Sequence, residues 1–204
     1  LSLLKLLSPR EFSMQSELFP SAEDRAKVDI LLQALQGLRL LAIAPGSVWA
    51  TKCWPLEYYI ELAVGLIQKG FGILLIGGTE DKTKCDAIEA KLEQSRVLNL
   101  AGKTNLLESA AAISAAEAMI CNDSGALHLA NAMQVRVFAF FGPTVQRIGY
   151  YPYREGDRVF EIELACRPCS SHGPQKCPKQ HHNCMRQITA KSVLPIILAT
   201  LGEI

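Results

Sequence analysis

Hydrophobic positions along this chain fall into two alternating rhythms. Residues 38–44 (LRLLAIA) are a nearly unbroken apolar run closed by Pro45, Gly46 and Ser47. Such a run suits a strand covered on both faces. Behind Pro55, the residues Leu56, Tyr59, Ile60, Ala63, Leu66 and Ile67 recur at helical spacing, and Gly70 ends the helix. The exchange continues down the chain. Residues 72–77 (GILLIG) read as a strand, 80–94 as a polar-faced helix, 97–100 as a short strand and 106–118 as an Ala-rich helix. A brief strand over 119–121, a helix over 125–133 and a strand over 135–141 (VRVFAFF) follow. Residues 158–163 are a candidate sixth strand, and 189–201 a closing helix that Pro195 would kink. Strands alternating with single helices across short connections predict an α/β fold, a Rossmann-like parallel sheet with helices on both faces.

The opening does not share this pattern. Ser21 and Asp24 fit a helix start, Leu31, Leu32 and Leu35 an apolar face, and Gly37 a helix end. Pro9 and Pro20 frame an irregular stretch before that helix. The arm has too few apolar residues for a core of its own. It is expected to be the end of a preceding domain with its linker, over 1–37, so that 38–204 form the domain proper. That the chain begins at Leu1 rather than at Met fits a fragment of a longer protein.

Composition narrows the class. With 204 residues, 49% of them hydrophobic and 20% charged, the chain can bury one full core and is not of disordered composition. Lys and Arg number 21 against 20 Asp and Glu, a net charge of +1. That balance supplies no field for non-specific capture of nucleic acid or an anionic membrane, though it allows a local basic pocket. No apolar run approaches the ~18 residues of a membrane span, and no signal or transit peptide is legible. Of the seven cysteines, Cys53, Cys85 and Cys121 sit in apolar periodic segments and read as buried or half-buried thiols. The odd total, with no legible secretory signal and no small disulfide-rich pattern, favours a reducing, cytoplasmic compartment.

In a parallel sheet of this kind, ligands bind beyond the carboxyl ends of the strands. The loop after the first strand, PGSVWATKCWP, offers Ser47 as a donor and Lys52 as a charge for phosphate. It is neither a Walker loop nor a GxGxxG turn, and a plain connection with an exposed lysine is the competing reading. In Gly77-Gly78-Thr79-Glu80, the carboxylate of Glu80 can accept both hydroxyls of a ribose, or merely favour the start of its own helix. The stretch from Asn122 to His128 is more telling. Ser124 and Gly125 open a helix whose first N–H groups form an anion site, and Asp123 either caps that helix or bonds a ligand. His128 lies one turn in and is either a site residue or a packed core histidine. Gly142-Pro143-Thr144 adds a rigid turn. Together these loops point to a diphosphate-bearing ligand, a nucleotide. A second cluster, Cys166, Cys169, Cys177 and Cys184 with His172, His181 and His182 nearby, opens with a CxxC pair. Zinc is the minority reading of it and reduced thiols the majority one, so no metal is expected.

The stretches PGSVWATKCWP, LLIGGTED, NLAGKTNLLESAAAI, CNDSGALHLANAM and FAFFGPT, with the tail CRPC…C…HHNCM, resemble the carboxyl-terminal half of glycosyltransferase family 9, the lipopolysaccharide heptosyltransferases. The resemblance runs from about Leu38 to the end, and the tail is most similar to the heptosyltransferase II branch. It implies the donor-binding half of a two-domain GT-B enzyme that uses ADP-heptose, with no cofactor required. Ser47 and Lys52 would contact the diphosphate and Glu80 the ribose. Lys103 and Thr104 would lie by the adenine. Asp123, Ser124, Gly125 and His128 would line the diphosphate and heptose. The general base and the lipopolysaccharide core acceptor would belong to the amino-terminal domain, so no residue here is assigned as that base. The resemblance further implies residence at the inner face of the bacterial inner membrane, with peripheral contact through the full-length protein. The family's usual Lys-Arg-Trp-Pro reads Lys52-Cys53-Trp54-Pro55 here, one positive charge fewer. A nucleotide-binding module without catalysis, or a family member with another sugar donor, are the alternatives.

Overall fold

The computed structural model describes residues 15–202. Helix α1 (Ala22–Leu32) leads into β1 (Arg39–Ala44), α2 (Leu56–Gln68), β2 (Phe71–Leu75), α3 (Lys82–Glu89) and β3 (Val97–Asn99). Then come α4 (Leu106–Ser114), β4 (Ala118–Asn122), α5 (Gly125–Ala132), β5 (Arg136–Phe141) and β6 (Arg158–Glu161). The short α6 (Asn183–Arg186) and α7 (Ala190–Thr200) close the chain.

All strands run parallel in one six-stranded sheet of order β3-β2-β1-β4-β5-β6. The predicted sheet is therefore borne out, and so are its helix-covered faces. Along β1, Leu41 and Ile43 point into one apolar cluster with Tyr59, Leu66 and Ile197, while Leu40, Ala42 and Ala44 point into another with Ala112, Met119 and Leu127. A strand whose alternate side chains both meet helices has no polar face, which is why β1, β2 and β4 read as unbroken apolar runs. Strand order reverses between β1 and β4, whose carboxyl ends lie side by side, with Ala44 against Cys121. This switch point opens a crevice between the two following loops.

Local competition shortened two predicted helices. The segment expected over 80–94 starts with a 3₁₀ turn at Thr79–Asp81, where the Asp81 carboxylate accepts the Gly78 N–H at 3.2 Å, and the helix ends at Glu89. The Ala-rich run expected to reach Ala118 stops at Ser114, because Glu117 donates its N–H to the Leu40 carbonyl and the chain enters β4. The closing helix is capped by the Thr189 side chain and runs through Pro195.

In the arm, Ser21 and Asp24 do form a reciprocal cap, Asp24 N–H to Ser21 Oγ at 3.1 Å and Ser21 N–H to Asp24 Oδ2 at 2.8 Å. The buried side chains are Val28 and Leu35 rather than Leu31, which is exposed. Val28 and Leu35 join the apolar cluster of the α4 and α5 face, so this part of the arm shares the sheet's core. Residues 1–14, Pro9 among them, lie outside the described residues.

Candidate functional site

Asn122, the last residue of β4, organises the crevice. It is fully buried. Its Oδ1 accepts the backbone N–H of Trp54 at 2.9 Å and the Tyr59 hydroxyl at 3.0 Å. Its Nδ2 donates to the carbonyls of Pro45 at 3.0 Å and Gly46 at 3.1 Å. Both ends of the loop after β1 are thereby tied to β4. Burial holds the Tyr59 phenol well above its ordinary pKa, so its hydroxyl remains a donor. Trp54 stacks on Phe140 at 4.0 Å between centroids and anchors the loop's exit in the core. The Asp81 carboxylate of the neighbouring loop packs directly on Gly46, where a Cβ would fall 1.9 Å from its Oδ1.

Lys52 is not the exposed cation of the plain-loop reading. Its side chain is 10% exposed, and Nζ lies 2.6 Å from Asp123 Oδ2. The Thr144 hydroxyl donates to the same Oδ2 at 2.7 Å. Three loops that are distant in sequence therefore meet in one buried charge pair. Asp123 does not cap α5. Ser124 occupies the N-cap position with no side-chain capping bond, so the first N–H groups of the helix face the crevice without a side-chain partner.

Two adjoining cavities open here and share Ser47, Val48, Ser124 and Gly125. The first, about 430 Å³, is walled by Ile76, Gly78, Glu80, Thr104 and Leu106, a mixed apolar and polar lining. The second, about 350 Å³, holds Lys52, Asp123 and His128, and also Tyr150, Ser171 and His172. Each is of small-ligand size. The structure thus gathers Ser47, Lys52, Glu80, Thr104, Asp123, Ser124, Gly125 and His128 around one crevice. His128 is exposed toward it, not packed in the core. Lys103 differs: it is exposed, lines neither cavity, and its charge acts on Asp86 instead. Cys53, where the family pattern carries arginine, has the Lys84 Nζ 3.5 Å from its Sγ, so α3 supplies a cation beside that position.

Sequence reasoning missed Asn122 as a clamp, Thr144 as a partner of Asp123, and the contribution of 171–172. The first two lay inside motifs already singled out. The last carried no signal beyond its place between cysteines. Those cysteines, Cys166, Cys169, Cys177 and Cys184, are free thiols. Among the described residues no three His, Cys, Asp or Glu side chains are grouped to hold a metal ion, so the zinc reading gains no support. Nor is any described helix long and apolar enough to cross a membrane.

Comparison with known proteins places this geometry. The pattern of Glycosyltransferase family 9 (heptosyltransferase) matches residues 8–179. Lipooligosaccharide heptosyltransferase 2 of Campylobacter jejuni is 29% identical over 161 residues, covering 78% of this chain and 50% of that protein. The Haemophilus ducreyi enzyme of the same name is 34% identical over 137 residues, covering 64% and 39%. The solved structure of Escherichia coli ADP-heptose lps heptosyltransferase II superposes with a TM-score of 0.76 at 27% identity, covering 92% of this chain and 54% of that one. The chain spans about half the length of the curated relatives it matches.

Proposed function

This chain belongs to glycosyltransferase family 9, and on that premise we propose that it is the carboxyl-terminal, donor-binding half of a heptosyltransferase that holds ADP-heptose. The observation that carries the reading is the pair of joined cavities at the switch point. The first suits an adenosine: apolar walls at Ile76 and Leu106, and the Glu80 carboxylate for the ribose hydroxyls. The second suits a diphosphate and its sugar: Lys52, the start of α5, and His128. The E. coli relative, whose name specifies ADP-heptose, supports this choice of donor.

The chemistry that follows is inverting transfer. An acceptor hydroxyl oxygen bonds to the anomeric carbon as the bond from that carbon to the diphosphate oxygen breaks. The sugar passes through an oxocarbenium-like state and ADP leaves with added negative charge. Lys52 and the α5 N–H groups stand where that charge develops, so they stabilise departure without a metal. The proton of the acceptor goes to a carboxylate of the amino-terminal domain, which also holds the lipopolysaccharide core acceptor. The full-length protein works in the cytoplasm at the inner face of the inner membrane.

Calorimetric titration tests this reading. ADP should bind this chain more tightly than UDP or GDP, and Glu80→Gln should weaken ADP more than 2′-deoxy-ADP. Equal affinities for all three nucleotides would favour a family member with another donor. Transfer of heptose by this chain alone, at the rate of a two-domain relative, would show that the base has been misplaced. Binding without transfer even after the amino-terminal half is restored would leave a nucleotide-binding module.

A further inference from the structure

We propose that His172 recognises the sugar-diphosphate end of the donor, a specificity-determining residue lent to the site by the cysteine-rich segment. The inference rests on the donor reading above and extends it to a residue in the long connection between β6 and α6.

The segment is fastened to the loop that carries Lys52 and to the loop of Thr144, the hydroxyl partner of Asp123. Gln175 accepts the Ala50 N–H at 3.1 Å and donates its amide to the Val48 carbonyl at 2.9 Å. The Thr51 hydroxyl donates to the Pro174 carbonyl, and His182 Nε2 lies 2.7 Å from the Thr51 carbonyl oxygen. At its start, Arg167 donates to the carbonyls of Phe141 at 3.0 Å and Thr144 at 2.7 Å. Between these anchors, Ser171 and His172 reach the wall of the second cavity.

The imidazole is oriented there. The Ser171 hydroxyl lies 2.8 Å from its Nδ1, and its ring sits 6.2 Å from that of Trp49. Among the described residues its Nε2 has no hydrogen-bond partner. An imidazole nitrogen so presented donates to a phosphate oxygen or accepts from a sugar hydroxyl. It lines the cavity of Lys52 and His128 and not that of Glu80 and Thr104. Its contribution therefore falls on the part of the ligand beyond the first phosphate.

The experiment compares AMP, ADP and ADP-heptose by calorimetry on this chain and on two variants. His172→Ala should weaken ADP-heptose about five- to tenfold, the scale of one exposed hydrogen bond. It should leave AMP unchanged, and His172→Gln should recover part of the loss. Because the side chain is exposed, the melting temperature should match the parent's. Unchanged ADP-heptose affinity, or an equal loss for AMP, would overturn the assignment. A parent that binds neither ADP nor ADP-heptose would remove the donor reading itself, and this inference with it.

Discussion

Replacing Asn122 with alanine removes four hydrogen bonds at once and strands their partners among buried residues. The orphans are the Trp54 N–H, the Tyr59 hydroxyl and the carbonyls of Pro45 and Gly46. A typical hydrogen bond contributes about 0.5–1.5 kcal/mol net, and an unsatisfied buried group costs about 1–3 kcal/mol. The Tyr59 hydroxyl has a second acceptor in the Ala44 carbonyl at 3.5 Å, so part of its loss is recovered. The other groups have none of comparable geometry, and the total comes to about 3–5 kcal/mol. Against a whole-domain stability of about 5–15 kcal/mol this is large, and it should lower Tm by about 6–20 °C in a chain of this size. Urea denaturation with an unchanged m-value and scanning calorimetry both read it. Tyr59→Phe is the internal control. It removes only one of two donors into Oδ1 and should cost about 1 kcal/mol. An Asn122→Ala protein within about 1 kcal/mol of the parent, or no worse than Tyr59→Phe, would refute the clamp.

Thiol chemistry offers a second check. Burial pushes the Cys85 thiol up to about 12 and Cys184 up to about 11, and raises Cys121 as well. At Cys177, slight burial raises the pKa but the N–H groups of His182, Lys179, His181 and Gln180 outweigh it and lower it. Iodoacetamide at pH 8 should therefore label Cys177 ahead of those three, as mass spectrometry would show, and prior labelling of Cys121 in the folded chain would contradict the burial. At the charge pair, Lys52→Ala should weaken ADP by roughly 1–2 kcal/mol. Asp123→Asn leaves Lys52 buried without its counter-charge, so it should lower Tm yet enlarge the rise in Tm that ADP produces, and an ADP-induced rise equal to the parent's would exclude the coupling.

Legibility in the sequence followed the range of the interaction. The capping box at Ser21, the buried strands and the loops at their ends depend on neighbours within a few residues, and all were readable. Helix ends were less so, because they are decided by competition. The run at 106–118 has helical composition throughout, but a backbone bond from Glu117 to Leu40 in another strand ends it. The site residues could be nominated by type and loop, whereas their relations could not. Nothing local indicates that Lys52 will be paired with Asp123, or that Thr144 will share the same oxygen. Lys103 shows the opposite limit: it occupies a matching motif position, yet its exposed side chain lines neither cavity. The segment around His172 was illegible because its position depends on anchors to residues 48–51, more than a hundred positions away in the chain.

The pairing of Lys52 changes what the crevice can offer an anion. Both side chains are nearly enclosed, at 10% and 4% exposure, and together they carry no net charge. A buried pair of this kind contributes little to stability, since desolvation offsets much of its attraction. Its value lies in position: Asp123 and Thr144 hold the lysine at the cavity wall before any ligand arrives. On the donor reading, the remaining pull on a diphosphate comes from the α5 N–H groups, an effect of about 0.3–1 kcal/mol where exposed and up to ~2 kcal/mol where partly buried. On the donor reading, a bound diphosphate draws Lys52 into a three-way contact, in which the Asp123 carboxylate opposes the phosphate as much as it steadies the cation. On that reading, the pair presents the cation to an arriving diphosphate while Asp123 limits how tightly the product is held.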